Sequence, residues 1–131
     1  MIKPIMKSEF FLRLPSEDAG PDDAATGQDL LDTLLEHEHE CVGLAANMIG
    51  VRKRIICVKD GNRALLMYNP QILEQVNAYQ TSEGCLSLIG ERPCTRYRRI
   101  KVEYLDENFV HRIKNFSGYT AEIIQHEIDH C

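Results

Sequence analysis

The chain has 131 residues, enough for one hydrophobic core and too few for two ordinary domains, so residues 1–131 are read as a single domain. Its 44% hydrophobic and 27% charged content is that of a folded globular protein and excludes a disordered one. Fifteen basic against twenty acidic residues leave a formal charge of -5, which argues against nucleic acid as a main partner, and no run nears the ~20 apolar residues of a membrane span.

The opening MIKPIMKSEFFLRLPSEDAG has neither a sustained apolar stretch nor a small-residue cleavage site, so it does not read as a secretory signal. Five cysteines, at 41, 57, 85, 94 and 131, are an odd count spread widely. That pattern predicts reduced thiols in the cytoplasm, at least one of them available to a metal. The one basic cluster, Arg92, Arg96, Arg98, Arg99 and Lys101, reads as a solvated strand face plus a structural ion pair.

Residues 14–27 are rich in Pro, Gly, Asp and small side chains and read as an irregular lead-in. Thr26 then caps a helix with Asp29 in its first turn, and Leu30, Leu31, Leu34 and Leu35 form its apolar face. His37 and His39 lie two apart and diverge on a helix, so Glu36 to Glu40 reads as a solvated helix end rather than a metal site. The small apolar stretch Cys41–Val51 suits a turn that brings backbone close to something. Residues 54–59 and 63–68 flank Asp60-Gly61-Asn62 as a hairpin, with Asn69-Pro70 ending the second run. Residues 72–80 read as extended and lead into Ser82–Ser87. A second hairpin joins 96–105 to 109–115, and Ser117 or Gly118 opens a last helix whose Ala121, Ile124 and Ile128 face the core. The fold class is α+β: mainly antiparallel sheet around a C-terminal metal-binding helix, with an N-terminal helix.

That last helix carries Gln125-His126-Glu127-Ile128-Asp129-His130. Histidines at i and i+4 stack on one helical face and can converge on one ion. Glu127 lies beside them, where a carboxylate can take a proton from a metal-acidified water. Asp129 points elsewhere and suits a supporting role. A third protein ligand has to come from upstream: Cys41, Cys57, Cys85, Cys94, Glu83, His37, His39 and His111 are the candidates. Cys57 sits in an apolar strand and reads as core. Cys85, flanked by Gly84 and by Ser82 and Ser87, is favoured.

At these residues the sequence resembles the peptide deformylases, a family marked by three motifs in order. The second is intact as Glu83-Gly84-Cys85-Leu86-Ser87 and the third as Gln125 to His130. Arg96-Tyr97 with Ile100-Lys101-Val102, Gly118 to Ala121, and the early Phe11-Leu12-Arg13 also look like the family, so the resemblance spans nearly the whole chain. It implies one divalent metal held by Cys85, His126 and His130, with Fe2+ the usual ion in the cell and Zn2+ or Ni2+ able to replace it. It also implies hydrolysis of the formyl group from the formyl-methionine of N-formylmethionyl peptides or nascent chains at the ribosome, releasing formate. Glu127 then acts as the general base and acid, and the backbone N–H of Leu86 helps hold the oxyanion. Val42, Tyr119 and Ile123 match residues lining the methionine pocket, and Gly43 offers backbone contacts to the peptide. Glu122 stands where the family usually has an apolar or basic residue.

The first motif departs from the family. Cys41 replaces its first glycine, and Met48 replaces a glutamine whose amide donates to the oxyanion. A thioether has no donor. Asn47 next door carries an amide that could substitute for it. The alternative reading is a metal-binding, peptide-binding relative with weak catalysis; a general protease fits poorly, because an upstream cysteine ligand is not the protease pattern.

Overall fold

The computed structural model describes residues 1–85 and 88–131, and of Leu88 and Ile89 the backbone alone. Among the described residues the order is α1 (Glu9–Leu12), α2 (Ala24–Glu36), β1 (Gly43–Ala45), β2 (Ile55–Asp60), β3 (Arg63–Cys85), β4 (Leu88–Leu105), β5 (His111–Ser117) and α3 (Gly118–His130). The strands form one five-stranded sheet in the order β1-β2-β3-β4-β5, each pair antiparallel. The α+β expectation holds, with helices at both ends of a meander.

Both expected hairpins form. Asn69-Pro70, expected to end a strand, is instead where β3 changes partner: Arg63 to Tyr68 pair with β2, while Tyr68, which also faces Leu105, and Gln71 to Cys85 pair with β4. Asn69 takes a positive φ of 53° there, a conformation that asparagine tolerates. A straight 23-residue strand would run about 75 Å, longer than a domain of this size, and the register shifts at Tyr68/Gln71, Ile72/Glu74 and Gly84/Cys85 are where such a ribbon bends.

The lead-in is more ordered than its composition predicts. Pro21, with φ preset for a helical turn, opens a 3-10 turn over Pro21–Asp23, and Asp23 accepts from the Gly20 N–H at 2.9 Å. Asp23 rather than Thr26 therefore precedes α2, and Thr26 lies within its first turn. The buried side of α2 is centred on Gly27, Leu30, Thr33 and Leu34, whereas Leu35 is exposed. Gly27 is required: a Cβ there would sit 2.0 Å from the Tyr68 hydroxyl. Leu30 and Leu34 join Leu44, Ile55, Ile56, Cys57, Val58, Met67, Val102 and Ile124 in one contiguous core. Cys57 is fully buried within it, as expected.

Candidate active site

Three elements bring the chemistry together. α3 carries His126 and His130 on one face, their ring centroids 5.0 Å apart. The end of β3 carries Cys85, whose Sγ is 3.3 Å from His130 Nε2. One ligand atom from each of Cys85, His126 and His130 fits within a 4.8 Å spread, and all three side chains are half-buried. A thiol and two imidazoles are the nitrogen and sulfur donors that divalent zinc, iron or nickel accept, so this set fits one metal ion. Burial, with His126 close by, lowers the His130 pKa to about 4, which keeps its ring neutral and able to ligate.

Glu127 lies in the adjoining turn, 3% exposed, and its Oε1 is buried with no hydrogen-bond partner. Burial, reinforced by the nearby Glu83 charge, pushes its carboxyl up to about 8. A carboxylate with so high a proton affinity, and a free oxygen in a dry setting, is suited to moving a proton.

Sequence reasoning offered Glu83 only as a candidate ligand and gave Gln125 no docking role. Glu83 Oε1 lies 2.7 Å from His126 Nδ1, which orients that imidazole with its other nitrogen free. Arg96 grips the same carboxylate through Nε and Nη2, at 2.7–3.1 Å, and holds Asp129 through Nη1 at 2.6 Å. Burial, the largest single influence, would raise the Glu83 carboxyl, but the hydrogen bonds from Arg96, Glu122 and His126 together with the Arg96 charge outweigh it and hold it down at about 2. Asp129 thus has the supporting place expected of it, and the expected structural ion pair of the basic cluster is Arg96. Gln125 docks α3 on the sheet: its Oε1 accepts from Tyr97 N and its Nε2 donates to the Tyr97 carbonyl, both at 2.9 Å. The intact Glu-Gly-Cys and Gln-His-Glu runs were the only signal available for these partners.

A cavity of about 570 Å³ opens on Cys85, His126 and Glu127, and Val42, Gly43, Tyr119 and Ile123 all line it. Ile123 is buried, whereas Tyr119 is 64% exposed at the rim. Gly43 is needed for close approach: a Cβ would lie 2.7 Å from Ile123 Cγ2 and 2.9 Å from Glu127 Oε2. Glu122 also lines the cavity and accepts from the Tyr79 hydroxyl at 3.2 Å.

The first-motif residues take distinct places. The Cys41 thiol donates to the Gly43 carbonyl at 2.9 Å, and burial pushes its pKa up to about 11, so it remains a thiol. Met48 is buried against the cavity, and its Sδ accepts from Ala45 N at 3.3 Å. Asn47 does not offer its amide to the cavity: Nδ2 donates to the His130 and Leu12 carbonyls. His37 pairs with Glu40 and His111 with Glu103, both away from the ligand cluster. Leu86 lies outside the described residues.

The polypeptide deformylase family model matches residues 4–131. The chain is 52% identical over 130 residues to the peptide deformylase of Clostridium beijerinckii, covering 99% of this chain and 96% of that one. Among solved structures, a class I type b peptide deformylase from Acinetobacter baumannii with Met-Ala-Ser bound superposes with a TM-score of 0.88 at 29% identity, over 99% of this chain and 94% of that one. Peptide deformylase from Thermotoga maritima gives a TM-score of 0.89 at 28% identity, over 99% and 91%.

Proposed function

This chain belongs to the polypeptide deformylase family, and from that premise we propose that it hydrolyses the N-terminal formyl group from the formyl-methionine of nascent polypeptides and releases formate, acting as one domain over residues 1–131. The observation that carries the reading is the convergence of one thiol and two imidazoles within 4.8 Å, beside a buried glutamate with an unpartnered oxygen.

Cys85, His126 and His130 hold the metal. When bound, it supplies Lewis acidity that makes water a nucleophile near neutral pH. Ferrous iron is the ion we assign in the cell, with zinc or nickel able to replace it. Glu127 takes the proton of the attacking water and delivers it to the methionine nitrogen as the carbon–nitrogen bond breaks, leaving formate and a free amine. Val42, Tyr119 and Ile123 receive the methionine side chain, and the backbone of Gly43 lies along the peptide. The Leu86 N–H is the protein donor assigned to the oxyanion. We place this reaction in the cytoplasm, on chains emerging from the ribosome; none of the described helices is long and apolar enough to cross a membrane.

The test is formate release from formyl-Met-Ala-Ser by anaerobically prepared, metal-quantified protein, abolished by Glu127→Ala. Metal-loaded protein with no turnover even at high enzyme concentration overturns the reading. Met48 favours one second reading, a metal-binding relative that binds peptides but turns them over slowly, because its side chain brings no donor to the cavity.

A further inference from the structure

Asn47 is 1% exposed and sits in the 3-10 turn Ala46–Ile49, next to the cavity-lining Met48. Its Nδ2 donates to the carbonyl of His130, and also lies 3.5 Å from the Leu12 carbonyl. Both partners are acceptors, so the amide can face them only through its NH2 group. Its Oδ1 is buried and meets no protein donor among the described residues.

The NH2 end of the amide reaches the helix that carries the two imidazoles. Its bond to the His130 carbonyl ties the turn Ala46–Ile49 to α3 at the residue whose Nε2 lies 3.3 Å from Cys85 Sγ. The neighbouring Cys131 carbonyl accepts from Ser16 N at 3.2 Å. The turn bearing Asn47 is itself held, because the neighbouring Met48 carbonyl accepts from Met6 N at 2.7 Å and Val51 N donates to the Ala46 carbonyl at 3.1 Å.

We infer that Asn47 is a positioning residue for the metal centre: its side-chain amide clamps the backbone of His130 and so sets where that imidazole stands relative to Cys85. The inference rests on the reading of Cys85, His126 and His130 as ligands. It gives the motif-one asparagine a structural partner in the motif-three helix in place of a role at the oxyanion.

The experiment compares wild type with Asn47→Ala, Asn47→Leu and Asn47→Ser. Zn2+ affinity is read by competition with a chromophoric chelator, and the thiolate-to-metal absorption is read on the Co2+ forms. Loss of a group that orients a metal ligand weakens affinity ~10- to 100-fold, so that is expected of Ala and Leu, with an altered Co2+ band. Asn47→Ser, which keeps one donor, should recover part of both. Lower melting temperatures of the metal-free variants with unchanged Zn2+ affinity and Co2+ spectrum overturn the inference. If Ala and Leu do not fold, the wild-type protein decides: a through-hydrogen-bond coupling between Asn47 Nδ2 and the His130 carbonyl carbon is expected, and its absence overturns the clamp. Wild type that holds no Zn2+ overturns the ligand reading as well, whereas wild type that binds tightly beside equally tight variants removes Asn47 alone.

Discussion

Met48→Gln should speed deformylation by this protein. Met48 is 1% exposed at the cavity wall, and its sulfur accepts from the Ala45 N–H at 3.3 Å. Glutamine has the same reach from Cβ to its terminal group. Its Oε1 can take over the bond from Ala45, as a stronger acceptor than a thioether, and that turns Nε2 toward the cavity as a new donor. One preorganised oxyanion donor contributes about 2.7–4 kcal/mol, or roughly 100- to 1,000-fold in rate. The charge that it meets exists only as the carbonyl is attacked, so kcat should rise with KM little changed. The assay is formate release from formyl-Met-Ala-Ser by iron-loaded wild type, Met48→Gln and the apolar control Met48→Leu, with folding verified by circular dichroism. A folded glutamine variant no faster than wild type refutes the reasoning, since the donor would then not be what the site lacks. A control slower than wild type by tenfold or more would give the sulfur a part of its own, which also contradicts it.

The metal-free protein should show two opposed pH dependences. Glu127 has its folded pKa raised to about 8, so as pH climbs past the ordinary carboxylate range the unfolded chain loses a proton that the native state keeps, and stability falls up to about pH 8. His130 has its folded pKa lowered to about 4, so between the ordinary histidine range and pH 4 the unfolded chain binds the extra proton, and stability falls as pH drops. Melting temperatures across pH 4–8 should therefore decline above pH 6.5 in wild type and stay flat there in Glu127→Gln; the same decline in both would contradict the assignment. Gly43→Ala should drive the new methyl against Ile123 and the Glu127 carboxylate, and a displacement of ~1 Å at a reacting group can lower the rate about 100-fold. Deformylation kinetics with metal content held equal would check this, and wild-type kcat in the variant would count against the close approach.

Much of the site could be read along the chain, because its main signals are local. The i, i+4 spacing of His126 and His130 puts two rings on one helical face whatever surrounds the helix, and Glu127 follows from the same periodicity. The β-rich runs on either side of Asp60-Gly61-Asn62 and of Asp106-Glu107-Asn108 announced both hairpins, since turn residues between two strand-forming runs are a local signal. Even the helix beginning, misjudged at Thr26, failed by only one turn: Pro21 had already set the dihedral that starts the coil.

What needed the folded chain was every relation between segments far apart in sequence. No periodicity shows that Asn47 would turn its amide to the His130 carbonyl rather than to the cavity, or that Glu83 would be gripped by Arg96 and pressed on His126. Asn69 could be seen as a break, but only the pairing shows that the strand continues with a new neighbour. Gly43 could be seen as small, but only the packing of β1 on α3 shows that Glu127 occupies the space a side chain would need. Local sequence decides which face a residue is on; which faces meet, and how closely, is decided by burying one core, and that choice depends on the whole chain at once.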